Sequence, residues 1–287
     1  MKIAHPPSPD PQRGWSKKGL ETTSKTRKEN IEMAPKDKGE LLDEKVGFFV
    51  LTSPLALYIT AIANLICQEH FDCGPWDDVQ FPNNFPSEED LPGFQTFVKS
   101  YFDLVQSISL DIMRACEVGW GMEGDALVSR CIPAASELRM LHYPCVSINR
   151  LKTGTIKRAW PHTDFGIITL LFQDSLGGLE CEDRRKQSTF VPIIPNDENE
   201  MIVNTSDTLT RWTNGEVTGG VHQVNVPPGM RELDIGSIPE RYSSVFFFKA
   251  HRTTSVAPLG HFVREKPAMY PDITALELHQ ERTYFLY

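Results

Sequence analysis

The sequence is short of cysteine and of positive charge. Six cysteines are scattered through 287 residues, and none forms a Cys-x-x-Cys pair. That excludes a disulfide-stapled fold and a thiolate zinc site, and it reads as the reduced thiols of a cytoplasmic protein. Lysine and arginine number 29 against 38 aspartates and glutamates, a net charge of −9 with pI near 5.4. A nucleic-acid binder needs a basic stripe to neutralise phosphates, so this balance speaks against nucleic acid as a partner. The start, MKIAHPPSPDPQRGWS, lacks the apolar run of a signal peptide. No P-loop, GxSxG or internal repeat occurs. The marks of P-loop phosphate binding and of serine-hydrolase chemistry are therefore missing.

Hydrophobic residues make up 40% and charged residues 23% of the chain, a balance that gives a globular protein with a real core. The first 45 residues are polar, and Arg13, Lys17, Lys18, Lys25, Arg27 and Lys28 read as a solvated surface. Val46 to Cys67 then runs for 22 residues without a charge. At about 1.5 Å per residue a helix of this length could cross a bilayer. Pro54, Asn64 and three Ser/Thr residues weaken that reading. A buried helix or strand pair, or a segment foreign to the fold, are the alternatives, and membrane association is not the expectation.

Phe94, Phe97, Val98, Tyr101, Phe102, Val105, Ile108, Ile112 and Ala115 recur at steps of mostly three and four. That spacing predicts an amphipathic helix with Pro92 at its start and its end near Gly119–Gly121. From Glu137 the period shortens. Strands are expected at Leu138–Tyr143, Ile167–Phe172, Phe190–Ile194, Met201–Asn204, Val217–Val226 and Ser243–Lys249, separated by turn signals such as Asn214-Gly215 and Pro227-Pro228-Gly229. A final helix is expected over Pro271–Tyr287. The fold class is mainly β with flanking helices, a sandwich or jelly roll.

A mononuclear iron site that activates oxygen needs three ligands on one face, two histidines and a carboxylate, with three positions left open. Residues two apart on a strand share a face, so a His-x-Asp pair suits that geometry. Two such pairs occur, His70-Phe71-Asp72 and His162-Thr163-Asp164. Roughly half a match is expected by chance, so context decides. No strand pattern surrounds His70, which reads as structural or surface. His162 precedes a strand signal and is the better candidate. His222, among Val221, Val224 and Val226, is either a third ligand or a satisfied core histidine. His142, His251, His261 and His279 lack a nearby second ligand and read as packing or surface. Arg241 and Ser243 share a strand face, where a guanidinium and a hydroxyl could hold a carboxylate, although a strand-end arginine is more often a surface residue.

Taken in order, His-x-Asp, a distal histidine and Arg-x-Ser resemble the iron(II)/2-oxoglutarate dioxygenases of the isopenicillin N synthase-like type. The resemblance is strongest from Phe71 to Tyr287. RGWS, LRMLHYP, HTDFGIITLLFQD, GGLE, RWTNG and YPDITALELHQER carry it, with the flavour of fungal members. It implies a double-stranded β-helix, a jelly roll with helices outside. It implies that His162, Asp164 and His222 bind Fe(2+), and that Arg241, Ser243 and Tyr143 hold the distal carboxylate of 2-oxoglutarate. It also implies that O2 and 2-oxoglutarate are consumed, a small molecule is oxidised, by default hydroxylated, and succinate and carbon dioxide leave. Leu141 stands where the family often has Asn, and Ser206 where Gly is common. The apolar run has no counterpart in the family. The chain is accordingly divided into a partial polar N-terminal region (1–45), an apolar insertion (46–68), a helical part of the N-terminal region (69–136) and a jelly-roll core with a C-terminal helix (137–287).

Overall fold

A computed structural model describes residues 10–16, 68–154, 156–195, 197, 199–264 and 266–283. The apolar run Val46–Cys67 lies outside the described residues. Among those described, no helix is long and apolar enough to cross a membrane.

The largest sheet takes its strands in the order β1 (Gly14–Ser16), β2 (Glu69–Cys73), β3 (Glu137–Tyr143), β12 (Arg241–Phe248), β6 (Ile168–Gln173) and β9 (Ile202–Thr205), all antiparallel. A second sheet runs β5 (Ala159–His162), β10 (His222–Val224), β7 (Leu179–Glu182) and β8 (Phe190–Pro192). A short pair joins β4 (Val146–Ser147) to β11 (Ser237–Ile238). Two facing antiparallel sheets with long crossovers make the expected jelly roll.

Alternation along β12 sorts the interior. Phe246 and Phe248 turn outward and meet the long helix α1 (Phe94–Trp120), where Phe102 packs edge-on against Phe246 at 5.1 Å between ring centroids. Val98, Val105 and Met113 of α1, Leu138 of β3 and Leu170 of β6 join the same buried cluster. Val245 and Phe247 turn the other way. They pack with Leu141, Tyr143 and Leu171, and with Ala159, Leu179 and Val224 of the second sheet. The space between the sheets is therefore lined by alternate residues of each strand.

Three elements, α2 (Ile148–Lys152), α3 (Asp207–Trp212) and α4 (Ala275–Thr283), complete the helices used below. The expected final helix is this α4. The expected strand Val217–Val226 is shorter: only His222–Val224 pairs, because Gly219 and Gly220 are loop residues lying against Thr163 and Asn204.

His70 corrects the sequence reading. It lies on a strand where none was expected, and it is buried, not on the surface. The segment 69–136 thus opens with a strand of the main sheet before its helix. His70 Nε2 is 3.1 Å from Asp72 Oδ2, and Arg139 Nε donates to Asp72 Oδ1 at 2.7 Å. Burial pushes the Asp72 carboxyl up, but Arg139 and His70 beside it outweigh that and hold it below the usual range. The first His-x-Asp pair is a structural ion network that ties β2 to β3.

Candidate active site

His162 ends β5 and His222 begins β10, and the two are directly paired across the ladder. Their ring centroids are 4.3 Å apart. Asp164 follows in the loop after β5 and is buried. Its Oδ1 lies 3.8 Å from His162 Nε2 and its Oδ2 lies 3.8 Å from His222 Nε2. The three ligand atoms all lie within 4.8 Å of one another.

The surroundings aim these groups. His162 Nδ1 donates to the Trp160 carbonyl at 2.6 Å, and His222 Nδ1 donates to the Gly220 carbonyl at 3.1 Å. In both rings the proton sits on Nδ1, so both Nε2 lone pairs face Asp164. Asn204 Nδ2 donates to the same Gly220 carbonyl at 3.1 Å. A Cβ on Gly220 would fall 1.9 Å from Asn204 Oδ1, so only glycine permits this approach. Thr169 Oγ1 donates to Asp164 Oδ2 at 2.7 Å, with Ser206 Oγ 3.3 Å behind it. Burial lowers the His162 pKa to about 4, with His222 adding to the shift, so His162 is neutral at pH 7 as a ligand must be. Two imidazoles and a carboxylate on one side of a space fit a six-coordinate iron(II) with open positions.

Arg241, fully buried, opens the inner face of β12 and pairs across the ladder with Tyr143 of β3. Its Nε donates to the Gly177 carbonyl at 3.1 Å, its Nη2 to Gln173 Oε1 at 2.8 Å, and its Nη1 to Ser243 Oγ at 3.2 Å. The guanidinium carbon lies 5.0 Å from the centre of the Tyr143 ring. Every one of these partners is neutral. A buried charge without a counter-charge is costly, so the pocket is built to receive an anion. Leu141 pairs with Ser243 and keeps this wall apolar where an amide was the alternative.

The sequence reading placed His162, Asp164, His222, Arg241, Ser243 and Tyr143, and the structure brings them together in two groups, a His-Asp-His triad that could hold a metal ion and an arginine pocket. It did not find Thr169, Gln173 or Asn204. Each sits on an inward position of an apolar strand, and the signal was a polar residue at a position where the alternation demands an apolar one.

Residues 135–250 match the family described as the 2OG-Fe(II) oxygenase superfamily. The 2-oxoglutarate-dependent dioxygenase imqE of Aspergillus flavus is 46% identical, over 100% of this chain and 77% of that protein. The chain belongs to the 2OG-Fe(II) oxygenase superfamily. It is an oxidoreductase that uses Fe(2+), 2-oxoglutarate and O2 and acts on a small molecule. The 2-oxoglutarate-dependent dioxygenase ecdK of Aspergillus rugulosus is 40% identical, over 99% of this chain and 80% of that protein. Among solved structures, a full-length Neurospora crassa protein in complex with alpha-KG and thymine superposes with a TM-score of 0.76 at 30% identity. That match covers 96% of this oxygenase and 75% of the Neurospora chain.

Proposed function

We propose that His162, Asp164 and His222 hold iron(II), and that Arg241, with Ser243 and Tyr143, seats the distal carboxylate of 2-oxoglutarate for hydroxylation of a small organic molecule. The observation that carries this reading is the buried Arg241, whose three hydrogen-bond partners are all neutral. It lies on the inner sheet face that also contributes Thr169 to Asp164. When bound, iron(II) supplies the oxygen-activating chemistry. The chain's own residues do the rest. The Trp160 and Gly220 carbonyls fix the two tautomers, Thr169 orients the carboxylate, and Arg241 anchors the co-substrate at its far end. Leu171, Val224 and Phe247 line the space between the sheets and keep water from it.

Hydroxylation is the simplest outcome, and a relative named proline hydroxylase buaE, from Petromyces alliaceus, is 36% identical. The fungal relatives support a place in small-molecule secondary metabolism and, with the motif order, the isopenicillin N synthase-like subtype. The free thiols of Cys73, Cys116, Cys131, Cys145 and Cys181 support a cytoplasmic location. The acidic net charge supports the absence of a nucleic-acid partner. We further place the oxygenase core at 137–287 and the helical N-terminal part at 69–136, with 46–68 an insertion after a partial region 1–45. Transcript sequencing that finds the segment uniformly kept in mature message would sink the insertion. The site itself is tested by anaerobic titration with Fe(II) and 2-oxoglutarate. A saturating visible charge-transfer band that disappears in His162→Ala is expected, and folded protein without the band would refute the assignment.

A further inference from the structure

A cavity of about 390 Å³, counting the part open to solvent, lies between the metal-binding loop and α4. Phe165 and Gly166, the two residues after Asp164, line it together with Lys249, Arg252, Leu276 and His279. The His279 ring is buried and meets Phe165 edge-on at 6.0 Å between centroids. Its Nδ1 stands 3.3 Å from Lys249 Nζ. An ammonium only donates, so Nδ1 accepts and the ring proton sits on Nε2. Burial, and then the Lys249 charge, lower the His279 pKa to about 3, so the neutral ring keeps this one tautomer near pH 7.

The Nε2–H is then a buried donor with no acceptor among the described residues. Arg252 Nε is a second buried donor without one, while both of its other nitrogens bind Asp78. Buried donors are nearly always paired, so two orphans lining one cavity call for an acceptor that the described residues do not supply. The charges agree. Among the described residues, Arg13, Lys249 and Arg252 behind the cavity are ion-paired with Asp78 and Glu137, three cations to two carboxylates. One positive charge is left over.

We propose that this cavity is a carboxylate-binding subsite that takes the acid group of a small organic acid substrate on His279 Nε2 and Arg252 Nε beside Lys249. The assignment to substrate rests on the oxygenase reading of the metal triad. Phe165 is next in the chain to Asp164, about 3.8 Å away between Cα atoms, so a guest held here lies beside the metal-binding loop. A neutral guest would leave the surplus charge unmatched.

The test uses the full chain without iron, labelled with ¹⁵N-histidine, titrated with sodium propionate and, separately, with propionamide. The Nε2–H signal of His279 is assigned by its loss in His279→Phe, which keeps the ring's bulk. His279→Gln serves where that variant does not fold. Propionate is expected to move the signal at concentrations at least about tenfold below those of the amide, the worth of one charge-assisted hydrogen bond. No response to propionate, as from a cavity that holds only water, overturns the subsite, and so does an equal response to acid and amide. A propionate response in protein that gives no iron and 2-oxoglutarate band would sink the oxygenase assignment of the triad and leave the carboxylate subsite standing. The band without a propionate response would sink the subsite alone.

Discussion

Replacing Arg241 with methionine separates binding of the co-substrate from folding. In the ligand-free protein the guanidinium is buried against Gly177, Gln173 and Ser243 with no carboxylate among its hydrogen-bond partners. Methionine leaves those acceptors short of a donor, which costs about 1–3 kcal/mol. It also removes a buried charge that lacks a counter-charge, which returns a comparable amount. The ligand-free variant should therefore melt within a few degrees of the parent. The bound state differs. A carboxylate held by charge-assisted hydrogen bonds from a buried guanidinium is worth about 3–4 kcal/mol, roughly 10²–10³-fold in affinity. With Mn(II) as a stand-in that does not turn over, 2-oxoglutarate at a hundred times its Kd stabilises the parent by about 2.7 kcal/mol. At about 2 °C per kcal/mol for a chain of this size, Tm rises by about 5 °C. At the same concentration a variant weakened a hundredfold gains about 0.4 kcal/mol, or less than about 1 °C. Melting curves with and without the co-substrate measure both numbers. An Arg241→Met protein that keeps the full rise would refute the argument that this cation is the anchor.

Thr169→Val removes the hydroxyl that donates to Asp164 Oδ2 while keeping the shape, and metal affinity should fall by about 10–100-fold in a competition titration. Unchanged affinity would show that the carboxylate is oriented without it. Asp72→Ala leaves the half-buried Arg139 and the buried His70 without their carboxylate and should cost about 3 kcal/mol, read as a lower urea midpoint. His279 is held neutral by burial, with a folded pKa of about 3 against 6.5 unfolded, so the unfolded chain takes up its proton first as pH falls. Its contribution is present above pH 6.5 and is lost towards pH 3, with a slope of up to about 1.4 kcal/mol per pH unit. His279→Phe should therefore lose less stability between pH 6.5 and 5 than the parent, and parallel curves would contradict this.

The proposed metal triad was legible because its chemistry demands rare residue types in a fixed order, and the two His-x-Asp pairs could be told apart by the strand that follows His162. The first pair misled for a physical reason. β2 reads EHFDC because its inward positions, His70 and Asp72, carry a buried ion network, while Phe71 turns towards the aromatic rings of Phe85 and Phe94. Polar residues inside and an aromatic outside reverse the alternation by which strands are recognised. β5, with Pro161 in its four residues, was likewise invisible. The long helix was read within two residues of its ends, since Gly93 and Gly121 both sit at positive φ and close it. His279 carried no local signal at all. Its meaning comes from Lys249 and Phe165, which lie 30 and 114 residues away in the chain and meet it only once α4 is packed.

Strand β6 works as a caliper. Thr169 steadies Asp164, the proposed metal ligand, and Gln173 steadies Arg241, the proposed co-substrate anchor, and they stand four residues apart on one face. The pitch of an extended chain fixes that span at about 13 Å. Loops around it can lengthen or change without moving either jaw, but a single residue inserted between 169 and 173 would turn one jaw to the opposite face. Such a chain could keep its grip on the metal or on the co-substrate, but not on both. New substrates can therefore be acquired through the surrounding loops, whereas the spacing of the two reactant seats cannot be tuned in small steps.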